Sequence, residues 1–249
     1  WNTATGTLAH TPEKHIRSVL SVAWSPNGTH LAITHDNGTV DIWNPAAGTL
    51  VRTLEDRTGR VCSVAWSPDG TRLATGGYDV THIWNTATGT LAHTLEGHSG
   101  WIYSVAWSPD GTHLATGSDD GTVRIWNPTT GDLVHILEDV TDWVRAVAWS
   151  PDGTHLATAG NDRGVRIWDS ATYSLLGTLL PLPDGSAAFG PDGMTYKFTG
   201  SPSGRFWWTI GLCTFAPGEL DPYIPEIRRV PYDSPLSALI SSPSGQEEA

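Results

Sequence analysis

Residues 101–126 read Trp-Ile-Tyr-Ser-Val-Ala-Trp-Ser-Pro-Asp-Gly-Thr-His-Leu-Ala-Thr-Gly-Ser-Asp-Asp-Gly-Thr-Val-Arg-Ile-Trp. The stretch divides into short strands and turns. Residues 101–108 are rich in aromatic and β-branched side chains, which fit a pleated, half-buried surface. Pro109-Asp110-Gly111 is turn chemistry, because Pro presets φ and Gly supplies the positive φ a tight turn demands. Residues 112–117 form a second strand, Asp119-Asp120-Gly121 turn the chain, and residues 122–126 alternate as a third. The run Asn127-Pro128-Thr129-Thr130-Gly131 turns again, and residues 132–137 complete a fourth strand. No segment before residue 215 carries a helical apolar period.

The same unit recurs along the chain. Val-Ala-Trp-Ser-Pro places its Trp at Trp24, Trp66, Trp107 and Trp149, at spacings of 42, 41 and 42. A second anchor falls at Trp1, Trp43, Trp84, Trp126, Trp168 and Trp208, so ten of the thirteen Trp are framework. A fifth copy is worn: Ala-Phe-Gly-Pro-Asp-Gly stands at 188–193. A period of 40 to 50 residues marks stacked repeats whose faces are buried only by neighbours.

Gly97-His98, the Trp-Ser-Pro-Asp-Gly turn, Ser118-Asp119-Asp120-Gly121-Thr122 and the closing Ile125-Trp126 together resemble the WD40 family of β-propellers, over residues 1–208. The closing dipeptide is Trp-Asn four times and Trp-Asp only at Trp168-Asp169. The resemblance implies an all-β fold, a β-propeller of four-stranded antiparallel blades. It also implies a structural hydrogen-bond tetrad in each good blade. By position the set is His98, Thr116 (with Ser118 as a substitute), Asp120 and Trp126. An incomplete set is His15, Thr34 and Trp43, with Asn37 at the acid. Another is Thr158, Asp162 and Trp168, with Val140 for His. In the remaining blade Arg57 replaces His and the turn at Tyr78-Asp79 is one residue short. A Thr/His/Asp set invites a catalytic reading, but pieces of it recur with the repeat, whereas a nucleophile is singular. The expectation is a protein with no catalytic residues.

Residues 1–10 repeat residues 84–93 letter for letter. The chain thus opens on a fourth strand, runs through four full blades, and ends the repeat with strands one to three of a fifth, about 186–208. Either the N-terminal strand closes a five-blade ring, or the chain is part of a larger propeller and 210–215 supplies the fifth blade's outer strand. The expected organisation is a propeller over 1–208, a Pro-rich extension over 209–239 packed on the last blade, and a disordered tail over 240–249. Trp1 in place of Met is read as the sign of a longer parent chain. The block from Gly190 through Trp207-Trp208 to Arg228-Arg229 resembles the end of large bacterial multidomain WD40 proteins, in which a STAND-type NTPase or effector domain precedes the array. That implies a sensing role, with an upstream domain as covalent partner.

The 249 residues are enough for one large domain or two small ones. With 26 acidic and 14 basic residues the net charge is −12, which disfavours a phosphate backbone and excludes a general grip on nucleic acid. No apolar run reaches the roughly 18 residues that span a membrane, and no signal peptide opens the chain. Cys62 and Cys213 cannot make a disulfide framework, and the expected compartment is the cytoplasm. His30, His113 and His155 share one template position, and His10, His93 and His135 another. Equivalent positions in different blades lie too far apart for one ion, so neither metal nor cofactor is expected.

Function belongs where the copies differ. Six residues before the framework Trp stand Ser18, Arg60, Trp101 and Trp143, and two further on Leu20, Cys62, Tyr103 and Arg145. Trp, Tyr and Arg are the side chains enriched at binding hot spots. With Asp36, Asp119, Asp139 and Asp142 nearby, these positions read as a protein-binding face with an acidic rim, for a partner with a basic surface. The alternative is that the aromatics cover one end of the propeller.

Overall fold

The computed structural model describes residues 18–56, 59–138, 142–182, 185–191, 195–199, 208–210, 213–215 and 228–229. All regular structure among them is β-strand, and the chain divides into two units, Trp1–Gly153 and Thr154–Ala249.

In the first unit, β1 (Val19–Trp24), β2 (Leu31–His35), β3 (Thr39–Asn44) and β4 (Thr49–Glu55) form an antiparallel sheet in chain order. Next come β5 (Ser63–Trp66), β6 (Arg72–Gly76), β7 (Tyr78–Asn85), β8 (Leu91–Trp107), β9 (Leu114–Ser118), β10 (Val123–Trp126) and β11 (Leu133–Leu137). These are two blades joined through one strand. The first part of β8 pairs with β7 (Leu91↔Trp84 to Glu96↔Val80) and the last with β9 (Ser104↔Gly117 to Trp107↔Leu114). The sequence reading starts this strand at residue 101, but the backbone runs on as one strand from Leu91, and Gly97 absorbs the change at φ 141°. The unit ends with β12 (Val144–Trp149).

In the second unit, β13 (His155–Gly160), β14 (Val165–Asp169), β15 (Leu175–Leu182), β16 (Gly185–Phe189) and β17 (Thr195–Thr199) pair antiparallel in chain order. The ribbon β18 (Trp208–Ile210) and β19 (Cys213–Phe215) pairs Trp208 with Phe215. β20 (Arg228–Arg229) lies parallel to β17. The worn fifth copy therefore adds its first two strands to the free edge of β15. The residues proposed to close the ring, 1–10, and most of 209–249 lie outside the described residues.

The framework Trp residues join neighbouring blades. Trp66 Nε1 donates to the Ala23 carbonyl (3.0 Å), Trp107 Nε1 to Ala65 (3.1 Å) and Trp149 Nε1 to Ala106 (3.1 Å). The strand amides of Val105 and Val147 donate to Ser63 Oγ and Ser104 Oγ, both at 3.1 Å. Between the first two blades Trp66 packs on a core of Ala32, Val40, Ile42, Leu54, Val61 and Leu73, and Trp107 packs on the equivalent core one blade later. The first blade's outward side differs: Val19, Val22 and Trp24 are exposed, Trp24 by 57%.

The turn between the first two strands of a blade builds its own bracket. Ser108 Oγ donates to Asp110 Oδ1 (2.6 Å), which also accepts from the Thr112 amide (3.0 Å), while Thr112 Oγ1 donates to Asp110 Oδ2 (2.8 Å). Ser108 first, then Thr112, hold the Asp110 carboxyl down at about 2. Gly111 takes φ 72° to close the turn.

Candidate functional site

The expected tetrad of the third blade forms a continuous chain. Trp126 Nε1 donates to Thr116 Oγ1 (2.9 Å), Thr116 Oγ1 meets His98 Nε2 (2.8 Å), and His98 Nδ1 meets Asp120 Oδ2 (2.8 Å). With a proton on His98 Nδ1 directed at Asp120, the chain runs from indole to hydroxyl to imidazole to carboxylate. Ser118 serves the turn instead, accepting from the Asp120 amide. Burial opposes ionisation of Asp120. The bond and charge of His98, with the Thr122 hydroxyl and amide, nevertheless hold its carboxyl well below the usual carboxylate range.

The second blade uses a rewired version that the sequence reading missed. Trp84 Nε1 donates to Thr75 Oγ1 (3.0 Å), and Thr75 Oγ1 donates directly to Asp56 Oδ2. His82 Nδ1 meets the other Asp56 oxygen at 2.9 Å. Acid and imidazole have exchanged places: the acid comes from the segment before the first strand, where His was expected, and the imidazole from the third. The signal was Asp56 beside the unorthodox Arg57, with His82 two residues before Trp84.

One expected set needs correction. In the first blade Thr34 is not the tetrad hydroxyl. Thr75, Thr116 and Thr158 pair with His82, Arg124 and Arg166, each two residues before the closing Trp. The residue so placed in the first blade is Ile33, opposite Asp41. A one-residue slip moves a strand side chain to the other face, and Thr34 Oγ1 donates to the Ser21 carbonyl at 3.4 Å. His15 lies outside the described residues. In the fourth blade Trp168 Nε1 donates to Thr158 Oγ1 (3.0 Å), and Asp162 pairs with Arg166 (2.6 Å).

The variable positions gather into a row of two contacting groups on the first unit. The Arg60 guanidinium lies over the Trp101 ring, 5.7 Å from its centroid. Tyr78 meets Trp101 edge-on, centroids 5.1 Å apart. Across the next junction Tyr103 stacks on Trp143 (6.5 Å), and Arg145 lies 4.4 Å from the Tyr103 centroid and 4.8 Å from that of Trp143. Tyr78 (47%) and Trp143 (43%) are exposed, as are Arg60 and Arg145, with Trp101 and Tyr103 half-buried. A register shift between Ile102 and Ser104 leaves Tyr103 out of the ladder, and such bulges re-aim side chains. Tyr78 was missed because only the shortened turn, where Asp79 takes φ 60°, brings it to Trp101. At the rim, Asp142 Oδ1 accepts from the Trp143 amide (2.7 Å), and the Asp119 amide donates to the Trp101 carbonyl (3.1 Å). Asp36 is exposed, and Asp139 lies outside the described residues. No three His, Cys, Asp or Glu gather to hold a metal among the described residues.

Cys62 sits within this row. Burial pushes its thiol up, Arg60 pulls it back, and Asp119 pushes it further. Less thiolate at pH 8 than in an ordinary cysteine means slower alkylation. In a Cys213→Ser background, Arg60→Gln is expected to slow reaction of Cys62 with iodoacetamide, because the cation that favours the thiolate is gone. An unchanged rate would separate the two groups.

Four-stranded blades that repeat every 40 to 42 residues, each bound to its neighbour through a framework Trp, define a β-propeller built from one template. The chain belongs to the WD40-repeat β-propeller family. Residues 89–127 and 131–169 match the description "WD domain, G-beta repeat", and residues 1–67 match "Anaphase-promoting complex subunit 4 WD40 domain". A chain of the crystallised mitotic checkpoint complex is similar at 29% identity and a TM-score of 0.66, over 76% of this chain. This chain spans 63% of that one. No curated protein matches. WD40 propellers commonly act as protein-interaction scaffolds and are typically non-catalytic.

Proposed function

We propose that the first unit docks a protein partner on the row formed by Arg60, Tyr78, Trp101, Tyr103, Trp143 and Arg145. One observation carries the reading: aromatic and arginine side chains from successive blades gather in two contacting groups, one at each of two neighbouring blade junctions, at positions the repeat leaves free, and most stay exposed. Trp66, Trp107 and Trp149 are accounted for by blade junctions, and Trp84, Trp126 and Trp168 by bonds to a Thr of their own blade, whereas these are not. Rigid aromatic anchors with stacked arginines are the side chains that dominate binding energy. The acids Asp119 and Asp142 beside the row favour a partner with a basic surface.

The test is capture of partners on the immobilised protein, quantified by mass spectrometry, against Trp101→Ala and Trp143→Ala. Each is expected to lower recovery of specific partners at least tenfold while the bait stays folded at the assay temperature. Equal recovery on all three baits would remove the face. The block 190–229 supports a narrower version, in which the row is the sensing surface of a signalling NTPase. A reading frame without an upstream nucleotide-binding domain ends that version.

A further inference from the structure

We infer that Arg60 is the socket for one carboxylate of the partner, supplied by an Asp or Glu side chain next to an apolar residue that rests on Trp101 and Tyr78. This deepens the docking reading above and rests on it. The chain carries 26 acids against 14 bases, so an unclaimed guanidinium is informative. Other arginines are claimed: Arg52 donates to the carbonyls of Thr88 (2.7 Å) and Ala87 (3.2 Å), Arg72 to that of Pro128, and Arg166 pairs with Asp162. Arg60 is exposed and has no hydrogen-bond or ion-pair partner among the described residues, only the Trp101 ring.

The contact with Trp101 sets the chemistry. The ring holds the guanidinium in place while its N–H edge stays free to meet a carboxylate with two parallel hydrogen bonds. Tyr78 stands edge-on to Trp101, at an interplanar angle of 73°, and is 47% exposed, leaving apolar surface beside the guanidinium for the adjoining residue. A single carboxylate suits the site better than a phosphate. Asp119 and Arg60 both act on the Cys62 thiol, so the acid lies within electrostatic reach of the same spot. A phosphoryl group, bearing roughly −1.5 to −2 charges, meets more of that repulsion than a carboxylate does. The partner's contact segment therefore carries one acid at its centre and cations towards the rim.

A displayed library of random 12-residue peptides, panned on the whole chain, tests this. Peptides that need Trp101 are expected to converge on one Asp or Glu beside an apolar residue. Changing that acid to its amide should weaken binding at least tenfold to the wild type and less than twofold to Arg60→Gln. Replacing it by phosphoserine should weaken binding to the wild type. Peptides that depend on Trp101 but carry no acid, an amide penalty equal on both proteins, or tighter binding of phosphoserine would each overturn the carboxylate socket while leaving the docking face standing. Peptides indifferent to Trp101→Ala overturn the face and the socket together.

Discussion

Thr116→Val is expected to destabilise the protein by about 2–4 kcal/mol, and Thr158→Val by about 1–3 kcal/mol. Both hydroxyls are buried, at 0% and 1% exposure, and both accept from a Trp indole, so valine removes an acceptor without opening a cavity. The difference lies in what else each Thr holds. Losing Thr116 strands the Trp126 N–H and also the Nε2 of His98, itself 1% exposed. Losing Thr158 strands the Trp168 N–H. Thr75→Val should cost at least as much as Thr116→Val, because it withdraws a donor from Asp56, a carboxylate only 1% exposed. At roughly 2–4 °C per kcal/mol for a chain of this size, Thr116→Val lowers Tm by about 4–16 °C. Urea melts of the three variants check the order; equal losses under about 0.5 kcal/mol would show that the hydroxyls organise nothing.

Acid adds a second reading of the same network. The folded state depresses the Asp120 pKa, so Asp120 contributes stability at pH values above about 3.9, where the unfolded chain ionises. That contribution is lost as the pH falls from there towards the depressed folded value. Wild type should therefore lose stability steeply below about pH 4, and Asp120→Asn should lose less over the same range.

How far the sequence reaches depends on whether a property repeats. Strand order, turn positions and the Trp–Thr bonds of the last two full blades follow from the template, because periodicity exposes whatever every copy needs. The tetrad of the third blade was legible for the same reason. Where a copy departs from the template, its new partners are found in space. Asp56 and His82 lie 26 residues apart and meet only because the segment before β5 folds over β7. Thr34 was misplaced because Leu-Ala-Ile-Thr in the first blade is one residue longer to its Thr than Leu-Ala-Thr in the others. The binding row was half legible: variability at one strand position pointed to Arg60, Trp101, Tyr103, Trp143 and Arg145. Their stacking, and the inclusion of Tyr78, depend on a bulge and a shortened turn that alter side-chain direction without changing the pattern.

Trp107→Ala should cost about 3–5 kcal/mol while the same change at Trp24 costs under about 1 kcal/mol, though both residues occupy one template position. Trp107 is half-buried, packs against the core of Ala74, Ile83, Leu95, Ile102, Val105 and Leu114, and donates to the Ala65 carbonyl of the preceding blade. Truncation removes a large ring from a packed junction and leaves a cavity between two sheets. Trp66→Ala should behave alike, since Trp66 closes the junction one blade earlier through Ala23. Trp24 has the same neighbours in sequence but is 57% exposed beside Val19 and Val22, so its removal takes little apolar surface out of a buried setting. If the template sequence fixed stability by itself, the substitutions would be equivalent. If burial fixes it, Trp66 and Trp107 separate from Trp24 by several kcal/mol, or roughly 5–15 °C in Tm. Thermal melts of the three single variants decide between these, and a Trp24→Ala loss as large as that of Trp107→Ala would mean that Trp24 is covered in solution.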